Sequence, residues 1–75
     1  MQKPIWSNRV QPTHIHLKTG KAVRVIYVDD PNGRRVRIEA TLEPAFVYEE
    51  GDGSVWVRPI IELTDGRFTD FKPAR

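Results

Sequence analysis

The chain has 75 residues, with 12 basic and 10 acidic side chains, a net charge of +2 and no cysteine. A chain of this length has room for one hydrophobic core, and the lack of cysteine excludes disulfides and thiolate zinc sites. The small net charge is unlike the strong basic excess of a dedicated nucleic-acid-binding domain. No apolar run is long enough for a signal peptide or a membrane span, so we expect a cytoplasmic protein without membrane association.

The N-terminal stretch differs from the remainder of the chain. Residues 1–13 contain Pro4 and Pro12 and no alternating apolar pattern, which predicts an N-terminal arm in front of a single domain over residues 14–75. Trp6 is expected to anchor this arm, because an indole contributes binding energy only when it packs against something.

Turn sequences separate short runs of β-branched and aromatic residues in the predicted domain. These turns are Lys18-Thr19-Gly20-Lys21, Asp30-Pro31-Asn32-Gly33, Gly51-Asp52-Gly53 and Asp65-Gly66. Such spacing is typical of consecutive hairpins. The sequence therefore predicts an all-β fold of four to five strands, either a small SH3-like barrel or an open antiparallel meander. Residues 59–63 are compatible with a helical turn and residues 66–71 with a closing strand.

The first hairpin is expected around the Asn32-Gly33 turn. Residues 22–28 are rich in β-branched side chains, and residues 36–41 alternate apolar and polar side chains, so the two are predicted to pair. Pro44 removes a backbone donor, which places the start of the next strand near Ala45.

The second hairpin spans the Gly51-Asp52-Gly53 loop, and its register decides which side chains share a face. A three-residue turn places Phe46, Tyr48, Trp56 and Arg58 on one face and the valines on the other. A two-residue turn would instead place Val47 with Trp56 and Arg58. The three-residue turn is favoured, because it separates an aliphatic face from an aromatic-cationic face.

The sequence offers little for catalysis or metal binding. His14 and His16 point the same way in an extended segment, but no third ligand is fixed beside them. No serine lies in a nucleophile elbow, and Glu39 with Glu43 is a weak acid-base pair. We predict no metal site, no cofactor and no catalytic residue, and we expect a binding module rather than an enzyme.

The strongest candidate site is the aromatic-cationic face formed by Tyr48, Trp56 and Arg58, with Glu39 or Thr41 at its edge. Aromatic rings beside an arginine are suited to stack a base or nucleotide and to bind its phosphate. The alternative is that the same rings form the hydrophobic core. The predicted function is recognition of a nucleic acid, a nucleotide or a small polar ligand.

A second candidate is the basic patch of Arg34, Arg35 and Arg37. Asp29 and Asp30 precede it, so the opposite charges either neutralise each other or leave a functional patch. The alternative function that follows is a protein-interaction factor that docks on a host protein through a strand edge or this basic hairpin. An uncovered edge also makes a homodimer a candidate assembly.

Three sequence patterns resemble a family of short bacterial and phage proteins catalogued as a domain of unknown function. Residues 16–25 resemble its H-x-K-x-G-x-x-Y-x-V pattern, with Val23 at the aromatic position. Residues 39–48 resemble E-x-x-L-x-P-x-V-x-Y, and residues 53–59 resemble G-x-x-W-V-R-P. The resemblance implies a compact β-rich fold and a bacterial or phage origin, in the latter case in the host cytoplasm, and it implies no particular activity.

Overall fold

The computed structural model describes residues 4–72. Its elements are β1 (His14–His16), β2 (Lys21–Val28), β3 (Ala45–Glu50), β4 (Val55–Pro59), the short helix α1 (Ile61–Thr64) and β5 (Phe68–Asp70). All strand pairs are antiparallel, in one sheet of order β4-β3-β2-β1-β5. The predicted all-β fold is confirmed. Because β4 and β5 are the two edges and do not pair with each other, the sheet is an open meander.

The predicted first hairpin is wrong. β2 pairs with β3 and not with residues 36–41, which contribute only an isolated bridge between Arg37 and Pro44. Residues 29–44 form a long connection, in which residues 36–38 fold back on residues 43–45. The predicted start of the next strand at Ala45 is confirmed.

The buried carboxylate of Asp29 explains why the first hairpin does not form. It accepts hydrogen bonds from Arg35 Nε at 2.8 Å and from the backbone N–H of Val36 at 2.8 Å. The second contact takes up the backbone N–H of Val36, a donor that a ladder with β2 could use, and β2 already pairs with β1 and β3 on its two sides. The local turn at residues 30–33 still forms, with Gly33 N–H donating to the Asp30 carbonyl.

The second hairpin has the predicted three-residue turn. Glu49 pairs with Val55, Tyr48 with Trp56 and Val47 with Val57, so residues 51–53 form the loop. Gly53 has φ of 89°, a left-handed conformation that glycine adopts without a steric penalty.

The sheet is strongly curved, with the core on its aromatic face. The rings of Tyr48 on β3 and Phe68 on β5 lie 5.4 Å apart, although β5 is three strands from β3, a distance of roughly 14 Å in a flat sheet. Val23 and Phe46 complete the buried cluster, and Leu63 of α1 packs against it. The helical turn and the closing strand predicted for residues 59–71 are both present.

The segment ahead of β1 lies against the sheet. Ile5 N–H donates to the carbonyl of Gly51 at 2.8 Å, and Thr13 N–H donates to the carbonyl of Val23 at 2.9 Å. Trp6 is partly buried and lies beside Gly51, in keeping with the expectation that it anchors the segment. Among residues 4–72, no helix has the length and apolar character required to cross a bilayer.

Candidate functional site

A groove of about 250 Å³ opens beside the core, where the aromatic-cationic face reaches the edge of the sheet. Side chains from β1, the following turn, β2, β3 and β4 line it: His16, Thr19, Lys21, Tyr48, Glu50, Trp56 and Arg58. Tyr48, Trp56 and Arg58 were predicted to act together, and the register of the second hairpin brings them to this groove.

Tyr48 belongs mainly to the core. Its side chain is only 3% exposed, and its ring packs against Phe46 and Phe68. The core alternative therefore applies to this ring, which is not free to stack a ligand. Only its hydroxyl contributes to the site, where it accepts a hydrogen bond from Arg58 Nε at 3.1 Å.

Trp56 is the accessible ring of the groove. It is 50% exposed, because β4 is an edge strand and its indole lies beyond the core. Its Nε1 donates to Glu50 Oε1 at 2.6 Å, which fixes one edge of the indole. A ring that is held at its polar edge and open elsewhere is suited to stacking with a planar ligand.

Arg58 lies next to Trp56 in the groove and is held by two partners. Nε donates to Tyr48, and Nη1 donates to Glu62 Oε1 at 2.9 Å. Within residues 4–72, Nη2 of Arg58 has no hydrogen-bond partner. The guanidinium is thus oriented by the protein and keeps donors for a ligand.

The groove also contains residues that were not predicted to belong to the site. Lys21 is the second cation; its ammonium is 3.6 Å from Glu50 Oε2, and its side chain is 62% exposed. His16 stacks on Phe68 with ring centroids 4.8 Å apart. The alternation of His14 and His16 did indicate a shared face, but only the curvature of the sheet brings His16 near Arg58.

The charged groups that act on His16 are mainly positive. Burial lowers the pKa of His16, and Arg58, Lys18 and Arg67 act in the same direction, while Glu50 opposes them. With a neutral imidazole, the groove lining contains two cations, Lys21 and Arg58, and one carboxylate, Glu50, while Glu62 pairs with Arg58 from outside the lining. The two cations of the lining favour a ligand that carries an anionic group.

Glu39 and Thr41 do not lie at this groove. Both are exposed in the connection between β2 and β3, and Thr41 Oγ1 accepts from the backbone N–H of Glu43. This connection meets the sheet where β3 begins, at the opposite end from Glu50. Glu39 and Thr41 were predicted to lie at the edge of the site because residues 36–41 were expected to form a strand. Residues 36–41 form no strand.

The three arginines of the predicted basic patch have different surroundings. Arg35 forms a bidentate pair with the buried Asp29, with N–O distances of 2.8 and 3.3 Å. The guanidinium of Arg34 lies 4.8 Å from the ring centre of Tyr27. Arg37 is exposed and contributes the backbone bridge to Pro44. Of the three arginines, Arg35 is therefore the one whose charge is neutralised by an aspartate.

His14 has local partners of its own. Its Nδ1 lies 2.7 Å from Thr13 Oγ1, and its Nε2 lies 3.9 Å from Asp70. Within the part of the chain that the structure describes, no three histidine, aspartate or glutamate side chains are grouped so as to hold a metal ion.

Comparison with known proteins adds no relative: no family model, no curated protein and no solved structure matches the chain.

Proposed function

We propose that the protein is a non-catalytic binding module for a nucleotide or a short single-stranded nucleic acid. The observation that carries the proposal is the half-exposed Trp56 in the same groove, of about 250 Å³, as two cations, Lys21 and Arg58. The indole would stack a base, and the cations would bind its phosphate. Stacking of this kind contributes roughly 1–3 kcal/mol per base.

The test is fluorescence anisotropy with a labelled oligothymidylate at about 50 and 200 mM salt. We expect saturable binding that weakens as salt rises, since phosphate contacts release counterions. Trp56→Ala should weaken binding by roughly tenfold or more, and Lys21→Gln should weaken it and flatten the salt dependence.

Two variants serve as matched controls. Val57→Ala truncates the neighbour of Trp56 on the opposite face, and Arg37→Gln removes one positive charge beside Pro44, just ahead of β3. Neither should change the affinity. Saturable binding that is insensitive to Trp56 but lost in Arg37→Gln would contradict the groove and favour the basic patch instead.

A second candidate function is docking of a protein through the free edge of β4. Hydrogen bonds join Glu50 to Ser54 and Pro44 to Ile60, so by alternation the backbone groups of Val55 and Val57 point away from β3. Both valine side chains are more than half exposed, at 57% and 53%. An extended peptide, or β4 of a second copy, would find unpaired donors there.

Val57→Pro tests this second candidate. Proline removes an outward N–H without breaking a bond to β3. A partner recovered from nuclease-treated lysate by the original protein, but not by the variant, would support edge docking. Equal recovery by both would count against it.

For the architecture, we propose that the open sheet curls in the manner of a small SH3-like barrel that strand pairing does not close. Its support is that α1 lies between the two edge strands, where Glu62 contacts Arg58 of β4 and lies 3.9 Å from Arg67 just before β5. Side chains, rather than strand pairing, would then close the gap.

A further inference from the structure

A second depression adjoins the groove and has a different chemistry. It has a volume of about 270 Å³ and is lined by Pro4 and Trp6 together with Gly51 and Asp52 of the turn. Lys21 and Glu50 line both depressions. The two are therefore neighbouring parts of one cleft that share the Lys21–Glu50 ion pair.

The wall that contains Trp6 is held by the backbone of the β3–β4 turn. Ile5 N–H donates to the Gly51 carbonyl, and a methyl group at Gly51 would lie 3.1 Å from Trp6 Nε1 and 3.3 Å from Pro4 Cβ. The indole thus occupies space that any larger side chain at position 51 would fill. Its position is fixed by residue 51 of the turn, immediately after Glu50.

Lys21 thus lines both depressions, one of which contains Trp6 and the other Trp56. Trp56 is hydrogen-bonded to Glu50, and Trp6 lies beside the next residue, Gly51. A single strand of nucleic acid has matching groups, since each phosphate lies between two bases. Lys21 is shared by the two depressions and is 62% exposed beside Glu50, so it is the cation available to a phosphate there, and each depression has one indole for a base.

The charges distinguish the two halves of the cleft. Arg58 lies in the half with Trp56, whereas Asp52 lies in the half with Trp6. The pKa of Asp52 is lowered, chiefly by hydrogen bonds from Ser54, so this carboxylate is ionised at neutral pH. It repels a phosphate and accepts a hydrogen bond from a base amino group.

We infer that Trp6 and Asp52 form a second base subsite, so that the cleft binds a dinucleotide step of single-stranded nucleic acid with the linking phosphate on Lys21. This inference rests on the proposed function and extends it to the N-terminal segment. The segment ahead of β1 then serves binding as well as packing.

The test compares deoxyadenosine monophosphate with the dinucleotide pdApdA by calorimetry on the full chain. We expect the dinucleotide to bind roughly tenfold more tightly or better, because a second base is stacked. Trp6→Ala should reduce the affinity for the dinucleotide to that for the mononucleotide and leave the mononucleotide affinity unchanged. Trp56→Ala should weaken both ligands.

Two further variants separate a subsite from a structural role. Ile5→Ala alters the neighbour of Trp6 and keeps the backbone bond to Gly51, so it should leave both affinities unchanged. Gly51→Ala retains the indole but displaces it, and should weaken only the dinucleotide. Melting temperatures of all variants identify any loss of folding.

The outcomes distinguish the two proposals. Equal affinity for the two ligands, or a dinucleotide affinity insensitive to Trp6→Ala, overturns the second subsite and leaves the Trp56 groove standing. No binding of either ligand overturns the groove and the subsite together. Binding of a proline-rich peptide in place of the dinucleotide assigns the Trp6 half to a protein ligand and also overturns the inference.

Discussion

At the scale of single residues, Asp29 is the clearest example of a side chain that sets the course of the backbone. It is buried, pairs with Arg35 and accepts the N–H of Val36. Its pKa is lowered by the hydrogen bond from Arg35 first and by that from Val36 second. One carboxylate therefore holds the start of the connection between β2 and β3.

Asp29→Asn should lower stability at neutral pH, because the amide loses the charge-assisted bonds to Arg35. Since the folded pKa lies below the ordinary value of about 3.9, this stabilisation is complete above that pH and is lost as pH falls through the folded value. Urea denaturation at neutral pH and in acid measures the difference, which should shrink in acid. Asp30→Asn, at an exposed position, is the control, and a larger effect there would contradict this account.

Leu42 has an unfavourable backbone conformation. Its φ is 62°, it is 65% exposed, and its N–H closes a turn on the Ile38 carbonyl. Asparagine adopts this left-handed conformation more readily, so Leu42→Asn should stabilise the domain by roughly 0.5–1 kcal/mol. Thermal denaturation measures the gain. Thr41→Asn, at a neighbouring position without positive φ, should give none.

At the scale of elements, the two faces of the β3–β4 hairpin have opposite environments. The aromatic face contains the buried Phe46, whereas Val57 on the aliphatic face is 53% exposed. Hydrophobicity alone suggests the reverse, with the valine face buried in the core and the face of Trp56 and Arg58 exposed to solvent. The curvature of the sheet decides it, because Phe68 of β5 folds over the aromatic face.

Truncations on the two faces should therefore differ strongly. Phe46→Ala should cost roughly 3–5 kcal/mol and Phe46→Leu clearly less, while Val57→Ala should cost about 0.5 kcal/mol or less. Chemical denaturation of the three variants measures these losses. A larger loss for Val57→Ala than for Phe46→Leu would contradict the face assignment.

At the scale of the whole molecule, the surroundings of His16 come from several parts of the fold. Phe68 of β5 stacks on it, and Arg58 of β4, Lys18, Arg67 and Glu50 of β3 act on its charge. Burial and these cations lower its pKa. The folded state therefore binds fewer protons at this position than the unfolded chain.

Stability should consequently be complete above about pH 6.5 and fall as pH drops through the folded pKa of His16. Melting temperatures measured across mildly acidic pH should show this slope. His16→Gln should flatten it, even if the variant is less stable throughout, whereas His14→Gln should retain it. An unchanged slope in His16→Gln would assign the titration to another group.

Local patterns were sufficient for the elements whose partners are close in sequence. The three-residue turn, the start of β3 at Ala45 and the shared face of Tyr48, Trp56 and Arg58 all follow from hairpin geometry between residues 45 and 59. The prediction for residues 36–41 was wrong. Their alternation indicated a strand paired with β2, but the backbone N–H of Val36 donates to the side chain of Asp29 instead.

The sequence by itself determined the fold class, the second hairpin and the residues of β3 and β4 that share a face. Only the tertiary structure decided that Tyr48 is core and Trp56 is exposed, and that His16, Lys21 and Glu50 join them. The physical reason is the curvature of the sheet, which brings β5 against β3. Curvature arises from packing across the whole sheet. The alternation of side chains within one strand therefore does not reveal which of its two faces the curved sheet buries.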